Sequence, residues 1–505
     1  MKFMPKAIQK PTKHEHSQDV QSITKYANTE ASLQRSHALK GEGYIPQEIF
    51  KTYDIRGIVG ETLTESNVTL IAKAIARIAK QQQQNTIIIA RDGRLSGPLL
   101  SNALKQGILD EGCKVIDIGA VPTPVLYFAT KLLSSQSGIM LTGSHNPKNY
   151  NGLKIIIAGN TLSGDKIQAI YQEILVNSNQ NISLTQSENN HYTQYSIVSD
   201  YIKTITNKIK LSRPLKIVID AGNGIAGMLA PNLFQALGCE VIELYCDVDG
   251  NFPNHHPDPS VPENLNALIQ AVQDQHADVG LAFDGDADRI GVVTNKGEII
   301  YPDRLLMLFA KEILLRRPGE RIIFDVKCTQ HLSKVIEQFY GIPEMTKTGH
   351  SLIKNRLQET KAPIAGEMSG HIFFNDGWYG FDDGLYAGAR LLQILSQENQ
   401  TCSELFKTFP NSVNTPELKL AVTLQQKEKI LSILPKSPAF QDAKIITIDG
   451  LRVEFDQAWG LIRASNTTPH MTLRFEGYDE QSLKHIQEIF RRELLKIDPT
   501  FQLTF

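Results

Sequence analysis

Short apolar runs rich in β-branched residues alternate with helical patterns from residue 50 onward. "NTIIIARDG" is followed by a helical stretch from Leu99 to Leu109, then by "KVIDIGAVPTP" and "SGIMLTGS". Near-continuous apolar runs of this length belong to strands covered on both faces, and their alternation with helices builds α/β units. The pattern restarts twice, at "LKIVIDAGNGIAG" followed by "APNLFQALGCEVIELY" and at "RIIFDVKCTQHLSKVIEQF". Three similar openings predict three related α/β domains. The C-terminal stretch differs. "KIITIDGLRVEF" sets Asp449-Gly450 between two alternating runs, a hairpin signal, and "SLKHIQEIFRRELLK" is an amphipathic helix. Together they predict a smaller α+β domain. "QQQQ", Gln81 to Gln84, reads as a helix-to-strand connection.

These signals divide the chain into a polar extension over 1–46, α/β domains over 47–195, 196–298 and 299–410, and an α+β domain over 411–505. The extension carries "KHEHSQD" and few apolar residues in any period, so it is expected to be mobile. It has no apolar core of a signal peptide, and Glu15, Asp19 and Glu30 argue against an acid-poor transit sequence.

Composition narrows the partners. Across 505 residues, 52 Lys+Arg stand against 54 Asp+Glu for a net charge of -2, so bulk charge attracts neither nucleic acid nor membrane. Cys113, Cys239, Cys246, Cys328 and Cys402 show no CxxC spacing, which fits reduced thiols in a cytoplasm. No run of about eighteen apolar residues predicts a transmembrane helix.

Four stretches carry candidate chemistry. "TGSHNPKNYNGLK", Thr142 to Lys154, places Ser144 at the mouth of a loop stiffened by Pro147, where a plain turn is the competing reading. "GLAFDGDADRIG" sets Asp284, Asp286 and Asp288 at alternate positions after an apolar strand. Carboxylates this close repel unless a cation neutralises them, and oxygen-only ligands favour Mg²⁺ or Ca²⁺. An EF-hand is excluded, because Arg289 stands where Gly is needed and Asn295 where a bidentate Glu is needed. With Arg289 adjacent, the acidic loop reads as a phosphoryl-transfer centre with a phosphate oxygen as the missing ligand. "RASNTTP", Arg463 to Pro469, offers a guanidinium, hydroxyls and backbone N–H groups to a phosphate. "GEMSGHIFF" alternates Glu367, Ser369 and His371 on one face of an extended segment, a donor and acceptor mixture suited to sugar hydroxyls.

With "YDIRG" and "KTGHSLIK", these stretches resemble the α-D-phosphohexomutase family and its bacterial phosphomannomutase/phosphoglucomutase branch, in the family's order from about Phe50 to the C-terminus. The resemblance implies three related α/β domains with mixed sheets and a TATA-binding-protein-like α+β domain around a central cleft. It implies reversible interconversion of hexose 1-phosphates and 6-phosphates of mannose and glucose by a monomer. The route runs through a phosphoserine and a hexose 1,6-bisphosphate that turns end over end, with glucose 1,6-bisphosphate as activator. Ser144 would carry the phosphoryl group, and Asp284, Asp286 and Asp288, with the Ser144 phosphate, would hold Mg²⁺. Arg56, His145, Lys154, Arg289 and His371 would serve the chemistry, Lys154 and His371 as candidates for proton transfer. Tyr53, Lys327, His350, Glu367 and Ser369 would meet the sugar, and Arg463, Ser465, Asn466 and Thr467 the distant phosphate.

Two departures stand out. Ala287 replaces a glycine common in the family loop, which costs about 1 kcal/mol if that position needs a positive φ. Lys148-Asn149 replaces a common Pro-Asp. Among rivals, a serine hydrolase requires a GxSxG elbow that Ser144 lacks. A metal-dependent sugar-phosphate phosphatase needs no phosphoserine, and a non-catalytic sugar-phosphate binder would not keep both Ser144 and all three aspartates. Phosphoglucosamine mutases typically carry Gln where this chain has Met368.

Overall fold

The structure, a computed structural model, describes residues 45–177, 191–464 and 470–505. Nearly all of the expected N-terminal extension, and Ser465, Asn466 and Thr467 of the expected phosphate loop, lie outside the described residues.

The first sheet contains β1 (Ile55–Ile58), β2 (Thr86–Arg91), β3 (Lys114–Ala120), β4 (Gly138–Leu141), β5 (Tyr150–Ile157), β6 (Asn160–Thr161) and β7 (Tyr192–Gln194). Its order is β1-β5-β4-β2-β3-β7, with β6 on β5. Helices α1 (Glu65–Gln81), α2 (Gly97–Asp110), α3 (Thr123–Leu132) and α4 (Asp165–Asn177) accompany it. In α1, Val68, Ile71, Ala72, Ile75 and Ala79 recur at helical spacing and are buried, and the Thr64 side chain accepts from Asn67 N to start the helix. The helix ends at Gln81, and Gln83 turns the chain with φ 60°.

Helix α5 (Val198–Lys208) leads into the second sheet, formed by β8 (Lys216–Asp220), β9 (Glu240–Leu244), β10 (Val279–Phe283), β11 (Ile290–Thr294) and β12 (Ile299–Ile300), with α6 (Ala230–Ala236) and α7 (Asn266–Asp274). This sheet runs past the boundary expected at residue 298, because Ile299 and Ile300 return as an edge strand against β11. The third sheet contains β13 (Arg321–Asp325), β14 (Ile342–Thr346), β15 (Ile364–Gly366) and β16 (Ile372–Phe374), with α8 (Pro302–Arg316), α9 (Gln330–Gln338), α10 (His350–Thr360) and α11 (Gly384–Gln397).

A common motif unites these sheets. The triplets β3-β2-β4, β9-β8-β10 and β14-β13-β15 are parallel. The last strand of each then pairs antiparallel with the next one along the chain, β5, β11 or β16. The connecting turns hold Ser144, Asp284 to Asp288, and Glu367 to His371 respectively. All three leave the carboxyl end of a parallel strand, where open α/β sheets gather ligands.

A continuous apolar core runs from Phe128 in α3 through Phe234 and Phe283 to Trp378 and Tyr386. Trp378 stacks on Tyr386 with ring centroids 4.4 Å apart and on Phe128 at 5.9 Å. The last domain keeps its own core. Its antiparallel strands are β17 (Val413–Asn414), β18 (Leu418–Ala421), β19 (Lys444–Ile446), β20 (Leu451–Glu454), β21 (Ala458–Ala464) and β22 (His470–Gly477), backed by α12 (Glu480–Ile497). The expected hairpin joins β19 to β20, with Gly450 at φ 80°. Two buried arginines attach this domain to the third. Arg452 donates to Val326 O and Cys328 O, both at 2.6 Å, and its guanidinium lies 3.8 Å from the Trp459 ring centroid; Arg474 donates to Lys327 O.

Helix α11 begins against the acidic loop. Gly384 N donates to Ala287 O at 3.2 Å, and a Cβ on Gly384 would press on Arg289 O and Ala287 O. Backbone cannot yield as a side-chain tip can, and overpacking typically costs about 1–3 kcal/mol. Gly384→Ala should lower the melting temperature accordingly in a thermal unfolding scan, whereas Gly112→Ala, which meets open space, should show only the cost of its positive φ.

Candidate active site

The turn between β4 and β5 begins with Thr142 and holds Ser144 at φ 46°. Ser144 Oγ donates to Asp284 Oδ2 at 2.8 Å and lies 3.1 Å from Nδ1 of His145. Burial first, then the neighbouring Arg289, holds the His145 imidazole well below its ordinary range, so it is neutral near pH 7.

Asp284, Asp286 and Asp288 are completely buried, a costly state for carboxylates without partners. Lys154 reaches across from β5 and donates to Asp286 Oδ2 at 2.6 Å and to Asp288 Oδ2. Thr123, at the start of α3, donates its hydroxyl to Asp286 Oδ2 at 2.5 Å and its N–H to Asp286 O at 2.9 Å. Arg289 N donates to Asp284 Oδ1 at 3.2 Å. Burial, together with Asp286 and Asp288, raises Asp284 well above the usual carboxylate range. Against the same burial, Lys154 and His371 keep Asp288 well below it. One ammonium therefore does not balance three carboxylates. Ala287, between them, adopts φ 61°, the positive angle that makes its replacement of glycine costly.

The third loop closes the far side. His371 Nε2 lies 3.2 Å from Asp288 Oδ1, and its Nδ1 lies 2.9 Å from Glu367 Oε2 and 2.9 Å from Ser369 Oγ. Burial alone would lower His371; Asp288, with Glu367, overcomes it and lifts the pKa to about 9. Glu367 Oε1 accepts Gly349 N at 2.6 Å. The loops also lock to one another through backbone: Ile290 N donates to Gly370 O at 3.1 Å, and a Cβ at Gly285 would overlap Ser144 O.

The structure thus gathers Ser144, His145, Lys154, the three aspartates, Arg289, Glu367, Ser369 and His371. Arg56 joins them through Asn146 Oδ1 at 3.3 Å, and His350 stacks on His371 with centroids 5.5 Å apart. Tyr53 donates to Thr348 O at 2.7 Å, on the loop before α10. Lys327 pairs instead with Glu417 at 2.6 Å, and Arg463 with Asp449 at 3.0 Å. Asp449 also accepts Thr348 N at 3.1 Å, which ties Arg463 to the third domain. Sequence reading missed Thr123, Asp382 and Lys354. Asp382 is completely buried, accepts Lys354 Nζ at 2.9 Å and faces His350 Nδ1 at 3.4 Å. "FDDG", around Asp382, was the only hint.

The residues fit a divalent cation. The donor set is all oxygen, and buried Asp286 Oδ1 has no hydrogen-bond partner. The pH dependence follows from the same groups. His371 is raised, so its contribution to stability is complete below its ordinary pKa of about 6.5 and is lost as pH rises through about 9. Asp284 is raised as well, so its ionisation also costs stability as pH rises; Asp286 and Asp288 are lowered, and their contribution is lost below about pH 4. Metal-free protein should therefore lose melting temperature as pH rises from about 6.5 through 9, and Mg²⁺ should restore most of the alkaline loss. Equal melting profiles with EDTA and with Mg²⁺ would contradict this assignment.

The phosphoglucomutase/phosphomannomutase family matches the chain in four consecutive pieces: α/β/α domain I over residues 47–181, domain II over 199–297, domain III over 301–413 and the C-terminal domain over 417–493. A phosphomannomutase/phosphoglucomutase of Pseudomonas putida is 51% identical over 461 residues, 91% of this chain and 98% of that protein. A phosphoglucomutase of Neisseria meningitidis is 50% identical over 88% of this chain and 96% of its own length. A crystal structure of a phosphoglucomutase/phosphomannomutase family protein from Burkholderia thailandensis is 49% identical and superposes with a TM-score of 0.85, covering 91% of this chain and all of that one. With four domain matches in order and half-identical relatives along nearly its whole length, this chain belongs to the phosphoglucomutase/phosphomannomutase family.

Proposed function

We infer that the protein is an isomerase that interconverts the 1-phosphates and 6-phosphates of glucose and mannose, with Ser144 carrying the phosphoryl group. The observation that carries this reading is Ser144 Oγ hydrogen-bonded to the central carboxylate cluster at 2.8 Å, in a chain whose relatives are named for both sugars. Phosphoryl transfer needs positioning and charge balance more than covalent activation, and this site is built from those two things.

In the forward step a sugar hydroxyl oxygen bonds to the phosphorus of phosphoserine, the bond from phosphorus to Ser144 Oγ breaks, and the hydroxyl proton leaves. The resulting bisphosphate reorients and returns its other phosphate to Ser144. Lys154, fixed on Asp286 and Asp288, stays charged and balances the phosphate. His371, with its pKa at about 9, gives up its proton more readily than Lys154 and faces the cluster through Nε2; in its neutral form it takes the hydroxyl proton, and in its charged form, which prevails near neutrality, it returns one. Asp284, Asp286, Asp288 and an oxygen on Ser144 would hold Mg²⁺, which when bound would neutralise phosphate charge. Glucose 1,6-bisphosphate serves as activator by phosphorylating Ser144. Arg463, with Ser465, Asn466 and Thr467, holds the distant phosphate in both orientations. Glu367 and Ser369 hold the sugar hydroxyls at O3 and O4. A phosphatase reading is not favoured, since the relatives are mutases and Ser144 sits where a phosphoryl carrier is needed; nor is a phosphoglucosamine reading.

Two experiments test the function. Intact mass and peptide mapping after incubation with glucose 1,6-bisphosphate should find one phosphate, on Ser144, and Ser144→Ala should lose nearly all mutase activity. A phosphate on another residue would falsify the assignment. Coupled assays should show glucose 1-phosphate and mannose 1-phosphate converted within a few-fold of one another, because they differ only at C2. Galactose 1-phosphate moves O4 and leaves the buried Glu367 carboxylate short of a donor, a loss of about 1–3 kcal/mol, or roughly tenfold to a hundredfold in kcat/KM. Glucosamine 1-phosphate as the best substrate would instead support the phosphoglucosamine reading.

A further inference from the structure

Ser144 occupies the left-handed region, which a residue with a Cβ keeps only when its surroundings hold it there. Both of its backbone polar groups are held. Its N–H donates to Thr142 Oγ1 at 2.8 Å, and that hydroxyl donates to Asp92 Oδ2 at 2.7 Å. Its carbonyl accepts from Arg94 Nη2 at 2.8 Å. Asp92 and Arg94 follow β2 and are 1% and 2% exposed.

Arg94 holds more of the loop than Ser144 alone. Nη2 also donates to Asn146 O at 2.6 Å, and Nη1 donates to Pro147 O at 2.7 Å and Tyr150 O at 2.9 Å. One planar guanidinium therefore gathers four main-chain carbonyls between Ser144 and Tyr150. An ammonium, with a single charged point, cannot reproduce that fork. Gly143 makes the room, because a Cβ there would overlap Arg94 Cζ and Nε. The guanidinium also lies 5.3 Å from the Phe252 ring centroid, and Gly250 backs onto Arg94 Cα. The clamp is thus seated against the second domain, which carries the aspartates. Neither Asp92 nor Arg94 hydrogen-bonds to those aspartates or to His371.

We propose that Arg94, assisted by Asp92 through Thr142, is a positioning residue for phosphoryl transfer: it fixes the backbone of Ser144 so that Oγ points at Asp284 across the domain boundary. The proposal rests on the reading of Ser144 as phosphoryl carrier. Arg94 acts on the rate of transfer, not on sugar binding.

The test uses full-length protein carrying Arg94→Lys, Gly143→Ala or Thr142→Val, each incubated with glucose 1,6-bisphosphate and its phosphoserine content counted by intact mass. Transfer to glucose 1-phosphate is then followed in a single turnover, normalised per phosphoserine. Arg94→Lys and Gly143→Ala should slow transfer about tenfold to a hundredfold, and Thr142→Val by a smaller factor. The dissociation constant for glucose 1-phosphate should change less than about threefold. If Arg94→Lys does not fold, Gly143→Ala and Thr142→Val carry the test from the other side of the same contacts. A purely structural role lowers the melting temperature and the fraction phosphorylated yet leaves the rate per phosphoserine at the wild-type value, and that outcome overturns the proposal. Wild-type protein that takes no phosphate on Ser144 overturns the carrier reading and the proposal with it.

Discussion

Five carboxylates, Asp284, Asp286, Asp288, Glu367 and Asp382, are buried around one point, and the rest of the structure answers to their charge. Their counter-charges come from elsewhere in the chain. Lys154 comes from the first domain, and Lys354 and His371 from the third. Removing one partner of a buried ion pair typically costs about 3–5 kcal/mol, because the remaining charge stays buried and alone. The site therefore also fastens the three α/β domains to one another, in addition to their shared apolar core. The last domain is attached differently. It meets the third through Arg452 and Arg474 on main-chain carbonyls and through Trp459, and its own core is separate.

Much of this was legible in the sequence because strands and turns declare themselves locally. The β-branched runs at 86–91, 216–220 and 321–325 became the middle strands of the three parallel triplets, and Asp284, Asp286 and Asp288 came together after the strand that precedes them. Ala287 does adopt the positive φ on which the cost of replacing the family's glycine depended. Strand direction did not declare itself. Alternation of apolar runs cannot tell a parallel neighbour from an antiparallel one, so the shared turn that holds all three functional loops appeared only with the sheets assembled.

What stayed hidden has one physical cause: a polar residue at the end of a strand or the start of a helix looks the same whether it caps a turn or serves a distant loop. Thr123 begins a helix, yet its hydroxyl meets Asp286, 163 residues away. Lys354 lies inside an ordinary helix and finds Asp382. Asp92 and Arg94 sit in "ARDGR", which reads as a strand end, and the four carbonyls that Arg94 collects lie about fifty residues further on. Motifs record spacing along the chain, and these partnerships exist only through the fold.

The separation between Ser144 and Asp284, 140 residues, has a consequence for how the protein is made. At ordinary ribosome speeds of about 5–20 residues per second, the serine loop emerges roughly 7–28 seconds before the first aspartate it bonds to. Throughout that interval Lys154, destined for burial, has no anionic partner and must stay hydrated. The first domain can complete its sheet during synthesis, but the face that carries the serine loop stays open until the acidic loop arrives. A nascent chain stalled inside the second domain would therefore present a folded first domain with an unfinished, cationic face, an exposed surface for a chaperone or a protease to recognise.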